Sequence, residues 1–345
     1  MEIHMAPPRS VLSTTLPILR DKYVDSGFLS HPLFTAIDRA GNLVKVQGGS
    51  RIEQPVVLGS HSSITQYSNG FEPMNMAITD PFQRGIFDWA EFSAPIVLSR
   101  SEQLSSRGDR AMVSILDAKM KNVMLDMKKQ VSLQIFKGTS AILTDLQTLN
   151  GMGTSASAVV ATGWLEGVAQ ASQVNTVGGL SKSTFQADGW YNPIEDAGGT
   201  LTLAHLDGLM NSAMVNSPSG KAPDMIFMSL NCYNAFLALV QNAVQYVSVE
   251  GYKGLSSEMV ATWRGAKIYI EPNLGFTGAT PAKAISAYAL SSDSFALYTD
   301  SDAYFAVGDL EKNPGSETFA TSVYCRMQLV TSHLASHGVL LDAEA

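Results

Sequence analysis

Four features of this chain carry residue types that nucleotide, metal or thiol chemistry uses, and each lacks part of the required pattern. Gly151-Met152-Gly153-Thr154-Ser155-Ala156 has the G-x-G-x-x-A spacing that lets backbone approach a pyrophosphate. Such a turn needs an apolar strand before it, a helix after it and an acid about 20 positions on for the ribose. Here Leu146-Gln147-Thr148-Leu149-Asn150 is a poor strand, and no acid stands at that spacing. Gly178-Gly179-Leu180-Ser181-Lys182-Ser183-Thr184 offers the Lys-Ser of a phosphate loop, but Ser181 occupies the place of its second glycine. Among His4, His31, His61, His205, His333 and His337 only the last two are close. In a strand-like tail their i, i+4 spacing keeps the rings apart, and without a nearby Glu or Cys they read as exposed tail histidines. Cys232 stands at a helix start, which lowers a thiol's pKa; its apolar neighbours favour a packed core thiol instead. There is no G-x-S-x-G elbow and no spaced carboxylate constellation. The residue types thus point to no catalytic residue, no cofactor-binding residue and no metal site.

Composition leads the same way. Hydrophobic residues are 45% and charged residues 16% of the 345, against about a quarter charged in soluble domains. So few charges leave little to cover a free surface, as in an obligate oligomer with apolar interfaces. A net charge of -8 argues against a general nucleic-acid binder. The charge is uneven, with six basic and four acidic residues over 109–149 but six and twelve over 150–305. The basic segment could face nucleic acid without binding it specifically; a solvated helix face accounts for it equally well. Two cysteines, Cys232 and Cys325, fit a reducing compartment. The first 20 residues, with Pro7, Pro8 and Pro17, lack the apolar core of a secretory signal. No run of 18 apolar residues marks a membrane span.

The elements follow from periodicity and turn residues. Residues 1–40 read as an extended arm with Pro7, Pro8, Pro17 and Pro32, in which only 11–24 could be helical. Strands are expected over 51–58 and 86–96, the second with Ile86, Ala90, Phe92, Ala94 and Ile96 on one parity. Between them Ser60, Ser62, Ser63, Asn69 and Gly70 make a polar excursion. A ribbon this long cannot bury both faces by itself. It is therefore expected to project onto a neighbouring subunit, with Arg51, Glu53, Arg84, Phe87 and Trp89 as contacts. Next, Met112, Leu116, Met120, Val123, Met127, Val131 and Ile135 recur at helical spacing. They predict a helix over Asp109–Lys137, about 43 Å long, between Gly108 and Gly138. Its stripe of Met112, Leu116, Met120, Met127, Val131 and Ile135 is expected to pack on a strand near 319–329. Helices and short strands alternate over 150–300, including a helix over 203–215 and a strand over 225–228; the tail is β. Residues 178–184 read as a Gly/Ser-rich surface loop.

The order Gly178-Gly179-Leu180, Ser183-Thr184, Trp190-Tyr191-Asn192, helix, Pro223-Asp224-Met225-Ile226-Phe227-Met228-Ser229, Tyr233-Asn234-Ala235 resembles the axial domain of tailed-phage major capsid proteins. That shell fold is shared with encapsulin nanocompartments. The resemblance implies an α+β fold with an N-terminal arm (1–40) and a projecting β-hairpin loop (about 48–92) on its base (41–98). It further implies a peripheral domain with a spine helix (99–149) and closing strands (301–345), and an axial α/β domain (150–300). The implied function is that of a major capsid protein, not an enzyme, assembling as hexamers and pentamers of an icosahedral shell around double-stranded DNA. The implied partners are copies of itself, a separate scaffolding protein, a portal protein, a decoration protein, and packaged DNA by proximity only, with no membrane. The implied location is the virion, and the host cytoplasm during assembly. Two other readings stand beside it: an encapsulin-like compartment, and a soluble enzyme using the Gly/Ser-rich loop at 150–184. Some relatives begin with a scaffolding segment of about a hundred residues, which the short arm here does not supply. Others weld the shell by a Lys–Asn bond from a lysine in the hairpin loop. No lysine lies between Lys45 and Lys119, so a shell held by non-covalent contacts is expected.

Overall fold

The computed structural model of the chain describes residues 32–59, 80–100, 109–138, 142–151, 163–240, 247–248, 259–274, 284–309, 311–312 and 318–343, and within the excursion residues 63, 64, 66, 68 and 70. The expected helix over 11–24 lies outside the described residues. The arm does not stay extended to its end: Leu33–Ala40 is a helix closed by Gly41 at φ 74°, with Leu33, Ala36 and Ile37 buried.

Thr318–Thr331 is the axis of the first six-stranded sheet. It pairs antiparallel with Ala90–Ser99, from Thr318 opposite Ser99 to Met327 opposite Ala90. It also pairs with Phe295–Asp300, Ala306–Val307 and Glu311–Lys312, and Leu43–Val46 adds a parallel edge to Phe295–Asp300. Its inward parity, Val323, Cys325, Met327 and Leu329, is buried in the main core, as period-two alternation demands.

The long helix occupies Asp109–Lys137. Gly138 ends it at φ 70°, and its N–H donates to the Gln134 carbonyl at 2.9 Å. The helix lies against Ala90–Ser99 and Thr318–Thr331. Met127, Val131 and Ile135 are buried in the main core and Met120 is partly buried against it; the side chains of Met112 and Leu116 lie outside the described residues. The last turns depart from a single stripe, because Ser132, Gln134 and Phe136 are buried too. There the helix runs under a second sheet, and its Phe136 ring meets Phe227 at 5.1 Å. Truncating Met127→Ala should lower unfolding free energy by about 2–5 kcal/mol, as loss of a packed core side chain does. Urea unfolding would read this, and a change under about 1 kcal/mol would mean the site can collapse around the loss.

The second sheet runs in the order Thr262–Trp263, Ala266–Ile270, Met225–Met228, Ile285–Leu290, Gly338–Leu341, Ile194–Asp196. One face carries Ile226, Met228, Ile268, Ala287 and Leu340 against the helices Leu203–Val215 and Leu230–Val240. The other carries Met225, Phe227, Tyr269, Tyr288 and Val339 into the main core. Burial on both faces explains strands that read as unbroken apolar runs, Met225–Met228 above all. Thr202 caps its helix by accepting from the His205 N–H. The architecture is α+β.

Candidate assembly surface and a buried polar cluster

Arg51–Val57 and Phe82–Asp88 form an antiparallel ribbon, with Arg51 opposite Asp88 and Val57 opposite Phe82. Alternation divides it into two unlike faces. Ile52 and Val56 with Phe87 form the inner face and belong to the chain's own core. The outer face carries Val57, 63% exposed, beside Phe82, 69% exposed, then Ile86 at 39% opposite Glu53. Glu53 holds Arg51 at 3.4 Å and Arg84 at 3.0 Å on that face. Exposed pairs of this kind contribute only about 0–1 kcal/mol to stability. Aligned large apolar side chains in water are the feature that asks for a partner.

Two of the expected contact residues are placed elsewhere. Phe87 is buried in its own chain, seated on Gly178, where a Cβ would come within 2.8 Å of the ring. Gly178 itself sits at φ +58°, a conformation that glycine adopts freely, and its carbonyl accepts the Ile86 N–H at 2.8 Å. Trp89 is buried beneath the Arg326 guanidinium, 4.7 Å from the ring centroid. Arg326 is held in turn by Glu91 at 2.9 Å, Asp300 at 3.0 Å and the Gly49 carbonyl at 2.9 Å. The single parity expected over 86–96 also fails, since Ile86 is exposed while Ala90 and Ile96 are buried. The strand breaks at Trp89, between Phe82–Asp88 and Ala90–Ser99. A break of one residue exchanges the faces. Gln328 stabilises that break by donating to the Asp88 carbonyl and to the Asp145 carbonyl.

Behind Gly178 lies a cluster that sequence reasoning missed. The hairpin of Thr176–Val177 and Leu180–Ser181 delivers Lys182 to the start of a short helix, Lys182–Phe185. The segment read as a surface loop therefore turns its one lysine inward, to full burial. Its Nζ lies 2.7 Å from Asn192 Oδ1 and 3.3 Å from Glu166 Oε1. Glu166 accepts the backbone N–H groups of Val174 and Asn175 at 3.1 and 2.8 Å. Asn192 Oδ1 also accepts the Glu166 N–H at 3.0 Å, and its Nδ2 donates to the Glu166 carbonyl at 2.8 Å. Gln173 donates to the Asn192 carbonyl at 2.8 Å, and Trp190, fully buried, donates to the Leu180 carbonyl at 3.2 Å. Burial lowers the Lys182 pKa to about 8, with Glu166 opposing the shift. No periodicity marks these residues, because they sit on loops and on the ends of short elements.

The other chemically suggestive residues are structural. Cys232 is buried, and desolvation raises its pKa to about 12; Cys325 is raised to about 11 for the same reason. His333 and His337 are not exposed tail residues. His337 is fully buried, its Nδ1 accepting the Ser291 N–H at 3.2 Å. Among the described residues no group of three His, Cys, Asp or Glu could hold a metal ion, and no helix is long and apolar enough to cross a membrane. Most of the Gly151–Ala156 pattern lies outside the described residues; Gly151 itself follows Thr148–Asn150, a short strand paired with Gly163–Leu165.

No protein-family model and no curated protein matches the chain. Solved structures do. The capsid asymmetric unit of cyanophage A-1(L) matches with a TM-score of 0.59 at 13% identity, over 93% of this chain and 95% of that one. The capsid of an empty GTA particle matches at 0.55 and 13%, over 94% and 95%. The holo encapsulin complex of Synechococcus elongatus matches at 0.55 and 12%, over 94% and 93%. The chain has the fold of these shells, over almost its whole length.

Proposed function

We propose that the chain is a major capsid protein, which assembles with copies of itself into a closed icosahedral shell of hexamers and pentamers around double-stranded DNA. The observation that carries this reading is the two-faced ribbon. Its inner face is seated in the chain's own core, while Val57, Phe82 and Ile86 project on the outer face. A second copy is the partner that a shell offers to every such face at once, with Arg51, Glu53 and Arg84 at its polar rim. Phe87 and Trp89 act one step back, by fixing the angle at which the ribbon leaves its own subunit. The fold shared with phage capsids and an encapsulin supports the same reading. A scaffolding protein, a portal and a decoration protein are the further partners this reading carries, with the virion as its location and the host cytoplasm as the place of assembly.

Negative-stain electron microscopy of the purified protein is the direct test. Closed particles of uniform diameter are the expected result, and a dispersed 37.0 kDa species at every concentration would overturn the proposal. The contents of particles from their native source separate a phage head from an encapsulin-like compartment. Nuclease-protected double-stranded DNA is expected, and a packaged protein in its place would shift the reading to the compartment.

A further inference from the structure

Lys182, Asn192 and Glu166 are all closed to solvent and in mutual contact: a nucleophile, an amide electrophile and a carboxylate. We propose that this cluster is a self-processing site that joins Lys182 to Asn192 through an isopeptide bond within one chain. The inference goes beyond the shell reading and stands whether or not the chain assembles.

Each part of the reaction has its group in place. The 2.7 Å contact between Nζ and Oδ1 leaves the Asn192 carboxamide carbon within about 4 Å of Nζ, one carbonyl bond further on. That is close to a near-attack distance of about 3–3.5 Å. Glu166 Oε1 stands 3.3 Å from Nζ, placed to take a proton from the ammonium and free its lone pair. Burial already brings the lysine pKa down to about 8, so the neutral amine is within reach near neutral pH. As Nζ attacks, negative charge gathers on Oδ1, where the Glu166 N–H donates at 3.0 Å. A fixed backbone donor of this kind is what stabilises a tetrahedral intermediate. The Nζ–Cγ bond forms, and the Cγ–Nδ2 bond breaks. Nδ2 takes up the proton held on Glu166 and a second proton from the attacking nitrogen, and leaves as ammonium. Lysine ammonium plus carboxamide thus become a secondary amide plus ammonium, with no oxidant, reductant or co-reactant. The Asn192 Nδ2 bond to the Glu166 carbonyl at 2.8 Å sets which end of the carboxamide faces the lysine. Pro193 follows Asn192 and has no N–H, so the usual backbone route by which asparagine loses ammonia is closed here.

The bond would fasten residues 182–192 around Trp190, directly behind the Gly178 seat of the ribbon. It lies within one subunit, so it produces no ladder of larger species in denaturing gels.

Intact mass of the denatured full-length protein tests the proposal. The wild type should weigh about 17 Da less than its sequence, the mass of one ammonia. Proteolysis before Asp188, which lies between the two residues, should leave the peptides holding Lys182 and Asn192 joined. Lys182→Arg and Glu166→Gln should both return to full sequence mass. Wild-type protein at full mass overturns the proposal, as does separation of the two peptides after cleavage or a deficit that maps to another asparagine. The decisive measurement is on the wild type, so a variant that fails to fold does not obscure it. Particle images and mass are independent readouts, so failure of the shell reading and failure of this one are distinguishable.

Discussion

Charging the outer face of the ribbon, with Val57→Asp and Phe82→Asp together, should abolish closed particles while leaving a folded chain. The two side chains are cross-strand neighbours, 63% and 69% exposed in the isolated subunit. Their loss removes little from the chain's own core. Surface substitutions of this kind stay mostly within about 0.5 kcal/mol, with a further loss from the poor strand propensity of Asp. At an interface the effect is far larger. A charge buried without a partner costs about 3–5 kcal/mol, and a shell repeats the contact at every subunit. Sedimentation and electron microscopy should show only small species, and the circular dichroism spectrum should match the wild type. Normal particles from the double variant would mean that this face stays in water and that assembly uses another surface. Arg84→Ala, which removes only a rim charge, should leave particles intact.

Acid should weaken the fold through His337 before the carboxylates titrate. The ring is fully buried, accepts the Ser291 N–H at Nδ1, and meets Phe295 with centroids 5.9 Å apart. Burial foremost, then the charge of His333, lowers its pKa to about 3, against a backbone bond from Ser294 that opposes the shift. The folded pKa therefore lies below the ordinary value of 6.5. In the window between them the unfolded chain binds a proton that the folded chain refuses. Stability is complete above about pH 6.5 and falls as pH drops through that window, by up to about 1.4 kcal/mol per pH unit. His333, also lowered by burial, adds to the slope with the same sign. Urea unfolding of the dispersed chain at pH 7, 6 and 5 should show the fall, and His337→Asn should flatten it while lowering stability at pH 7. Wild-type stability that is level or rising from pH 7 to pH 5 would mean that the ring is protonated in the folded state.

The ribbon and the lysine cluster mark where reading the sequence stops. A strand over 51–58 was legible in the sequence and forms over Arg51–Val57, yet which face of the ribbon met the core was decided at Trp89, where the second strand breaks under Arg326, more than two hundred residues away. Lys182 stands in a Gly/Ser-rich segment whose composition resembles a surface loop. Its burial depends on Glu166 and Asn192, which reach it from two other loops. His337 likewise reads as a polar tail residue until Ser291 and Thr331 close around it.

By itself the sequence determined the elements whose signals are local. The long helix has its bounds at Asp109 and Lys137 because apolar spacing and Gly138 act on neighbouring turns. The helix Leu203–Val215 starts where Thr202 can cap it, and Met225–Met228 is a strand because four apolar residues find cover on both faces. Scarcity of charge was equally plain in the chain, since it is a property of composition. Tertiary structure alone decided that Ala90–Ser99 lies beside Thr318–Thr331, that Phe136 plugs the second sheet, and that one lysine is buried among amides. Sheet pairing and the burial of polar groups depend on partners far apart in sequence, and no local pattern encodes which distant segment will arrive.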